Sequence, residues 1–326
     1  MAKDIIKEIE GYNLLGRSGS CFPAALKWQA VKKSKADKKY IICNGSEGDP
    51  KNFKDGFILK NHPETVVQGI KTALKTIDNS FAFIYLRKDY YKEFARKLRK
   101  LSRGFLIKIV EKKNGYLGGE ETVVCQAIEG KRPEPKAKPP FPSSRGLWGY
   151  PTLINNVETF YCVGKISQGK YKKTRFYGIT GDVRNKGVYE LAEDYNIRQI
   201  LEKTDNYPDF DFFVQSGGGA SGEILLEKEL KKQVQGIGCL VVFNAKKTDP
   251  FALMKEWADF FLAENCDKCT PCREGVYRIS EIIRKKKIDK KTLNDIFLVL
   301  EKTSFCPLGK NVCLPFKTLI KKVIKQ

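Results

Sequence analysis

Cys266, Cys269 and Cys272 stand three residues apart in the run Glu264-Asn265-Cys266-Asp267-Lys268-Cys269-Thr270-Pro271-Cys272-Arg273. A loop that tight brings three thiolates to one face of a cuboidal cluster, and a fourth ligand must arrive from elsewhere. Cys306, in Ser304-Phe305-Cys306-Pro307-Leu308-Gly309, is the candidate, with Cys313 as the spare. A tetrahedral zinc site is the competing occupant. Zinc sites usually pair two separated CxxC knuckles, whereas here a triple knuckle meets one distant thiol, which favours a 4Fe–4S cluster. The C-terminal segment must fold around that group. Amphipathic stretches at 251–263, 274–285, 290–301 and 316–324 predict a small helical bundle with the cluster at its end.

The other five cysteines, Cys21, Cys43, Cys125, Cys162 and Cys239, are scattered in apolar or Gly-rich settings and read as small hydrophobes. The N-terminus carries acids early and no long apolar stretch, so no secretory signal is expected. A cysteine cluster in such a chain is a metal site rather than a disulfide framework. No apolar run approaches the ~18–20 residues of a membrane helix, and a soluble, cytoplasmic protein without membrane insertion is expected. The 326 residues, 41% of them apolar, suffice for two or three domains with real cores.

The single histidine, His62, is the sharpest exclusion. A Ser-His-Asp triad, a His-rich zinc site or a histidine proton relay would all have to run through it. In Lys60-Asn61-His62-Pro63 it reads instead as a surface residue at a helix end. Sixty Lys and Arg against 38 Asp and Glu give a net charge of +22. The lysines are spread along the chain, with no zinc-finger, RRM or helix-turn-helix signature, so nucleic acid is not the expected partner. An acidic electron-transfer protein or a phosphorylated cofactor suits that charge.

Between residues 39 and 111 the pattern alternates. Strands are predicted at 39–43, 81–86 and 105–110, and helices at 57–76 and 89–101, which argues for a parallel α/β layer. In such sheets ligands bind at the carboxyl ends of the strands. Three stretches fall there. Gly16-Arg17-Ser18-Gly19-Ser20-Cys21-Phe22-Pro23, with Lys27 just beyond, offers small residues and positive charge to a phosphate. Asn44-Gly45-Ser46-Glu47-Gly48-Asp49-Pro50 follows the first strand with amide and carboxylate groups that suit a ring system or a ribose, or a solvated turn. Gly115-Tyr116-Leu117-Gly118-Gly119-Glu120-Glu121-Thr122 opens a helix whose first turn is acidic, as ordinary capping also requires. A Pro-rich stretch, 132–142, then leads into Trp148–Thr159, which is too apolar for a linker and is expected to pack over a site.

In this order the stretches resemble the flavin-carrying, NADH-binding subunit of respiratory complex I and its relatives in NAD-linked hydrogenases and formate dehydrogenases. The resemblance runs from about Gly16 to Phe316. Its most specific motifs are Gly-Glu-Glu-Thr at 119–122, Lys-Pro-Pro-Phe-Pro at 138–142, Asn-Asn-Val-Glu-Thr at 155–159, Cys-x-x-Cys-Thr-Pro-Cys-Arg-Glu-Gly at 266–275 and Ser-Phe-Cys-Pro-Leu-Gly at 304–309. It implies an α/β fold in three parts: a Rossmann-like FMN/NADH-binding domain over 1–170, a small ubiquitin-like β-grasp module over 171–246, and a helical 4Fe–4S domain over 247–326. Turns of the middle module are expected at 178–181 and 215–220.

The resemblance also implies residue roles. The FMN phosphate would meet Gly16, Arg17, Gly19 and Lys27, with Asn155 and Asn156 nearby. The flavin ring would contact Asn44, Glu47, Gly119 and Glu120. Phe22, Lys138 and Phe141 would hold the adenine half of NADH, with Asp49 and Glu121 near its ribose and nicotinamide. Tyr116 and Ile154 complete the cofactor-binding set, Glu47 and Glu121 are the acids nearest the reaction, and Cys266, Cys269, Cys272 and Cys306 would bind the 4Fe–4S cluster. The implied activity is electron transfer between NAD(H) and iron–sulfur centres, with no general base required. The implied partners are a thioredoxin-like 2Fe–2S subunit, a larger iron–sulfur or catalytic subunit, and ferredoxin.

Some positions depart from the pattern. Ser18 and Cys21 replace glycines of the first loop, Ser46 stands where an aspartate is usual, and Ala30 replaces an aromatic residue. The segment between Leu101 and Gly115 is shorter than usual, and the family's N-terminal region is missing. A flavin and iron–sulfur relay subunit that has lost nicotinamide binding is therefore the alternative. A zinc-bearing nucleic-acid binder is a third.

Overall fold

The computed structural model describes residues 4–19, 21–113, 115–286 and 288–324, and of Tyr116 the backbone alone. The chain divides into two compact units: residues 1–48, 53–133 and 137–176, and residues 49–52, 134–136 and 177–326.

The first unit starts with helices α1 (Ile5–Gly11) and α2 (Ala24–Lys33) and then alternates: β1 (Lys39–Gly45), α3 (Lys54–Asn61), α4 (Pro63–Thr76), β2 (Ser80–Leu86), α5 (Lys88–Leu101), β3 (Ile107–Glu111), α6 (Glu121–Ile128), the single turn α7 (Pro142–Arg145), β4 (Thr152–Asn156) and α8 (Val157–Ser167). The four strands form one parallel sheet in the order β3-β2-β1-β4. Such a sheet needs cover on both faces, and β1 and β2 accordingly read as apolar runs with few polar breaks.

The stretch expected as one helix over 57–76 is two helices. Pro63 lacks an N–H and restricts the residue before it, so α3 ends at Asn61, His62 leaves helical geometry (φ −135°), and α4 restarts with Pro63 in its first turn. His62 is half-buried rather than a surface residue, with its ring 5.3 Å from that of Tyr161 and 6.1 Å from that of Phe176. Helices α4 and α8 cross where each carries a glycine. A Cβ on Gly69 would sit 2.0 Å from the Phe160 carbonyl oxygen, and one on Gly164 2.1 Å from that of Thr65. Any larger residue at either position forces the helices apart.

The second unit contains a five-stranded mixed sheet, β6-β5-β9-β7-β8, built from β5 (Thr174–Gly181), β6 (Gly187–Ala192), β7 (Phe212–Ser216), β8 (Glu223–Leu226) and β9 (Cys239–Asn244), with helix α9 (Ile197–Lys203) against it. Its core includes Tyr177, Ile200, Leu201, Val214, Leu240 and Val242. Residues 178–181 are not a turn but the end of β5, whereas Gly217 and Gly218 turn the chain after β7 with φ of +100° and +138°. Helices α10 (Pro250–Ala263), α11 (Thr270–Arg284), α12 (Lys290–Thr303), α13 (Pro307–Asn311) and α14 (Cys313–Leu319) follow. Helix α11 begins four residues before the apolar periodicity does, because Pro271 starts it and Cys272 lies in its first turn. The edge strand β8 is covered: Ile224 N–H donates to Thr318 Oγ1 at 2.9 Å, and Lys322 reaches Glu223 and Glu229.

Candidate functional site

Chain order β1, β2, β3 runs outward in one direction, and the chain then returns to place β4 on the other side of β1. That reversal opens a crevice at the carboxyl ends of β1 and β4, the place where an open α/β sheet takes a ligand. The residues there are polar. Asn44, one residue before the end of β1, is paired in register with Asn156 of β4, and Asn155 pairs with Cys43. Asn44 Nδ2 donates to the Gly119 carbonyl at 3.0 Å, and its Oδ1 accepts the Ser46 N–H at 3.2 Å. Asn155 is buried, and its side-chain oxygen accepts from Trp28 Nε1 at 3.1 Å once the amide is oriented to satisfy both of its atoms.

Two ion pairs line the same crevice. Glu120 caps α6, taking the N–H groups of Thr122 and Val123, and its other oxygen meets Lys138 Nζ at 2.7 Å. Glu121 pairs with Lys27 at 2.5 Å, and Lys27 also donates to the Ile154 carbonyl at 3.1 Å. The acidic first turn of α6 is thus both cap and ion-pair partner. Phe22 and Phe141 present exposed rings, at 47% and 54% exposure. Gly16 N–H closes the first loop onto the Phe22 carbonyl at 2.8 Å, and Gly19 is exposed. Cys21, in a glycine's place, holds a left-handed φ of +47°, a conformation unfavourable for a side chain with a Cβ.

Arg17 and Asp49 are placed differently from the rest. Arg17 is buried, with its guanidinium on the Tyr171 hydroxyl at 2.8 Å and its backbone N–H on Thr159 Oγ1. Its charge points into the unit and not toward the loop where a phosphate was expected. Asp49 belongs with the second unit, where its buried carboxylate accepts the N–H groups of Lys51, Gly219 and Ala220. Burial pushes its acidity down, that is, its pKa up. The side chain of Tyr116 lies outside what is described.

Beneath the crevice is a buried ionic network that the sequence pattern did not reveal. Lys54 Nζ meets Asp55 at 2.8 Å, Glu158 at 3.0 Å and Asn156 Oδ1 at 3.2 Å, and Lys54, Asp55 and Glu158 are all nearly inaccessible. Burial alone would lower Lys54, but Asp55, Glu158 and Glu47 outweigh it and hold the ammonium above the ordinary lysine value. Asn156 donates to Asp55 at 2.6 Å, which fixes the amide that ends β4. Glu47 accepts from the N–H groups of Asp55 and Gly56 and from the Tyr90 hydroxyl. Burial and then the Asp55 charge raise it to about 7. Both Lys-Asp at 54–55 and the glutamate of Asn-Asn-Val-Glu-Thr were visible as residues, but nothing in their spacing says that they are buried together.

The four thiols also come together. Cys269, Cys272 and Cys306 are buried and Cys266 half-buried. Burial first, then the neighbouring Cys269, Cys306 and Cys266, push the Cys272 thiol up to about 12. Neighbouring thiols that resist ionisation in each other's presence are a ligand set that a metal centre would stabilise as thiolates. Among the described residues no three His, Cys, Asp or Glu side chains stand close enough to hold a single metal ion. Arg273 closes the knuckle by donating to the Asp267 carbonyl at 3.3 Å. Gly309 lets the second motif approach: a Cβ there would lie 2.5 Å from Ser304 Oγ and 3.2 Å from Cys272 Cβ. Cys313 is not part of this set. It is fully buried, with its thiol 3.6 Å from the Phe297 carbonyl, and burial drives it up to about 12.

Two family models match the chain: the Nuo51 FMN-binding domain over residues 9–165 and the NADH-ubiquinone oxidoreductase-F iron-sulfur binding region over residues 252–325. The F subunit of the NADH-quinone oxidoreductase of Buchnera aphidicola subsp. Schizaphis graminum is 32% identical, covering 98% of this chain and 82% of its own length. The alpha subunit of the NAD-reducing hydrogenase of Cupriavidus necator is 29% identical over 98% of this chain and 59% of its own length. A chain of an NAD+-reducing nickel–iron hydrogenase, solved in its H2-reduced state, superimposes with a TM-score of 0.91 at 27% identity. That match covers 99% of this chain and 61% of the hydrogenase chain.

Proposed function

Because the chain belongs to the family of the F subunits of NADH-quinone oxidoreductases, we propose that it exchanges electrons between NAD(H) and iron–sulfur centres through FMN and a 4Fe–4S cluster, as one subunit of a larger assembly. The observation that carries this is the convergence of Cys266, Cys269, Cys272 and Cys306, supported by the polar crevice at the ends of β1 and β4. We keep the threefold division for this reading: an FMN/NADH-binding domain over 1–170, a β-grasp module over 171–246 and a cluster domain over 247–326. No described helix is long and apolar enough to cross a membrane.

The residues fit a flavin nucleotide. In the loop Gly16–Gly19 the N–H groups of Gly16 and Arg17 hold the loop itself, so a phosphate would meet the backbone at Ser18 and Gly19 and the Lys27 cation, while Arg17 supports the loop from inside through Tyr171. Asn44, Glu47, Gly119 and Glu120 would contact the ring, with Asn155 and Asn156 near the phosphate; the Asn44–Gly119 hydrogen bond supports this, and the exposed faces of Phe22 and Phe141 suit the adenine of NADH. Bound FMN supplies the exchange between two-electron and one-electron chemistry, and the cluster the one-electron exit. The protein's part is orientation. Lys138 and Lys27 hold Glu120 and Glu121 in fixed directions, and the Lys54 network holds Asn156. The partners would be a thioredoxin-like 2Fe–2S subunit and a larger iron–sulfur or catalytic subunit, in line with relatives that are hydrogenase and quinone-reductase subunits.

One observation favours a relay subunit without nicotinamide binding: the Glu47 and Asp49 carboxylates are both engaged by backbone N–H groups, which leaves Glu121 as the acid most open to a nicotinamide ribose. An anaerobic visible spectrum before and after NADH separates the readings. Flavin bands that bleach establish the dehydrogenase module, and bands that stay establish the relay. Protein carrying zinc and no iron, sulfide or flavin would refute both.

A further inference from the structure

We propose that Tyr90 is a positioning residue, whose phenol fixes the direction and charge state of Glu47 through one hydrogen bond. The idea deepens the reading of Glu47 as a flavin-site acid and takes its functional meaning from it. Tyr90 lies in the first turn of α5 and is 7% exposed, outside the set that the sequence singled out. Its hydroxyl donates to Glu47 Oε2 at 2.6 Å, the shortest contact that carboxylate makes. The remaining donors are backbone: the N–H of Asp55 at 3.1 Å to each oxygen and that of Gly56 at 3.4 Å. Among the donors to that carboxylate, Tyr90 is therefore the one a point substitution can delete while leaving the chain path intact.

The ring has no freedom to move. It lies so close to Gly56 that a Cβ there would stand 2.6 Å from both its hydroxyl oxygen and the adjoining ring carbon. Arg87 covers its face, with the guanidinium 4.8 Å from the ring centroid, while the same guanidinium donates to the Glu47 carbonyl at 3.0 Å. Phe94 packs at 5.9 Å. Glycine at 56, arginine at 87 and tyrosine at 90 thus aim one hydroxyl at one oxygen.

The charged groups around Glu47 come from every element that packs on it. Asp55 and Lys54 face it from α3, Tyr90 and Arg87 from the start of α5, and Glu158 and Asn156 act through Lys54 from α8 and β4. Burial and Asp55 favour the proton on Glu47, while Lys54, Tyr90 and the Asp55 N–H favour the carboxylate. Burial and Asp55 outweigh the rest, which raises Glu47 to about 7. A charge-assisted hydrogen bond is then enough to decide its charge at neutral pH. Removing the Tyr90 hydroxyl takes away support for the carboxylate, so Glu47 should hold its proton to a higher pH by about one unit, on the order of 10-fold in proton affinity.

The test uses the purified holoprotein labelled with carbon-13 at glutamate carboxyls, titrated by NMR, with the Glu47 signal identified by its loss in Glu47→Gln. In the wild type it should titrate near neutrality, and in Tyr90→Phe about one unit higher, with the pH profile of NADH affinity moving by the same amount. A Tyr90→Phe midpoint equal to or below the wild type overturns the proposal. So does a midpoint that shifts while the NADH profile stays put. If Tyr90→Phe does not fold, 3-fluorotyrosine at position 90, a more acidic donor, should move the midpoint downward, and no shift overturns the proposal equally. A preparation without flavin bands refutes the flavin reading and leaves the carboxyl titration to judge the hydrogen bond alone.

Discussion

Replacing Lys54 by methionine tests whether the ionic network beneath the crevice holds the first unit together as its geometry implies. The ammonium has carboxylates at 2.8 and 3.0 Å and an amide oxygen at 3.2 Å, and 2% of the side chain is exposed. Methionine matches its length and fills its volume, so the change isolates the charge. Removing one partner from a buried ionic group leaves the others uncompensated, which destabilises by about 3–5 kcal/mol. For a folding unit the size of the first one each kcal/mol is worth roughly 2–4 °C in Tm, so its transition should fall by roughly 6–20 °C. Glu158→Gln added to Lys54→Met removes one orphaned charge and keeps an acceptor for the Phe176 N–H, now 2.9 Å from Glu158 Oε1. The double variant should therefore be more stable than Lys54→Met alone, although Glu158→Gln is expected to be harmful in the wild type. Scanning calorimetry of the four proteins closes the cycle. A loss below about 1 kcal/mol, or strictly additive effects, would show that the three charges do not act as a unit.

Other expectations concern the remaining centres. Glu47 is raised in the folded protein, so its contribution to stability is fully present below the ordinary glutamate value and is lost as pH rises through about 7. Melting curves should then show Glu47→Gln gaining on the wild type between pH 5 and 8, by at most about 3 kcal/mol; a pH-independent difference contradicts this. Cys306→Ser should lower iron and sulfide content, whereas Cys313→Ser should leave both unchanged and only reduce stability by about 1–3 kcal/mol, as metal analysis and melting can separate. Gly309→Ala should disturb both stability and iron loading, because its methyl group would enter the space of Ser304 and Cys272. Full iron content at wild-type Tm would refute that packing argument.

Periodicity found the parallel sheet because a strand covered on both faces reads as an apolar run, as Ile41-Ile42-Cys43 and Phe83-Ile84-Tyr85-Leu86 do. It merged α3 with α4 because the apolar spacing continues through His62, and the break is set by the proline ring at 63, not by hydrophobicity. The thiol quartet was legible for a chemical reason: few arrangements other than a metal centre place cysteines three residues apart. The crevice was half legible. Motifs located Asn44, Glu120, Lys138 and Asn156, but an arginine beside a glycine loop looks the same whether it points outward or, as Arg17 does, inward to Tyr171. Lys54 and Asp55 were missed because burial of charge depends on the partners that the fold brings from residues about 100 positions away, Asn156 among them, and Tyr90 because its partner Glu47 lies 43 residues earlier on another element.

The placement of that buried charge is itself informative. Many ion pairs among the described residues are exposed, such as Arg184 with Asp209 and Lys97 with Glu64, and pairs of that kind contribute little to stability. Lys54, Asp55 and Glu158 are instead withdrawn from water together, at the carboxyl ends of the two strands that flank the switch in strand order. Well-packed apolar side chains of equal volume would serve stability as well or better there. What apolar side chains could not do is fix an amide. Lys54 and Asp55 grip Asn156 from its oxygen and its nitrogen, and Asn156 in turn donates to the Asn44 carbonyl at 3.3 Å. The two asparagines near the carboxyl ends of β1 and β4 are therefore locked to each other and to a charge network that cannot rearrange without exposing or orphaning an ion. A ligand entering the crevice meets hydrogen-bonding groups already oriented, which lowers the entropy it must lose on binding. That is the physical reason to place buried charges, which an apolar core could replace as far as stability goes, at this end of the sheet.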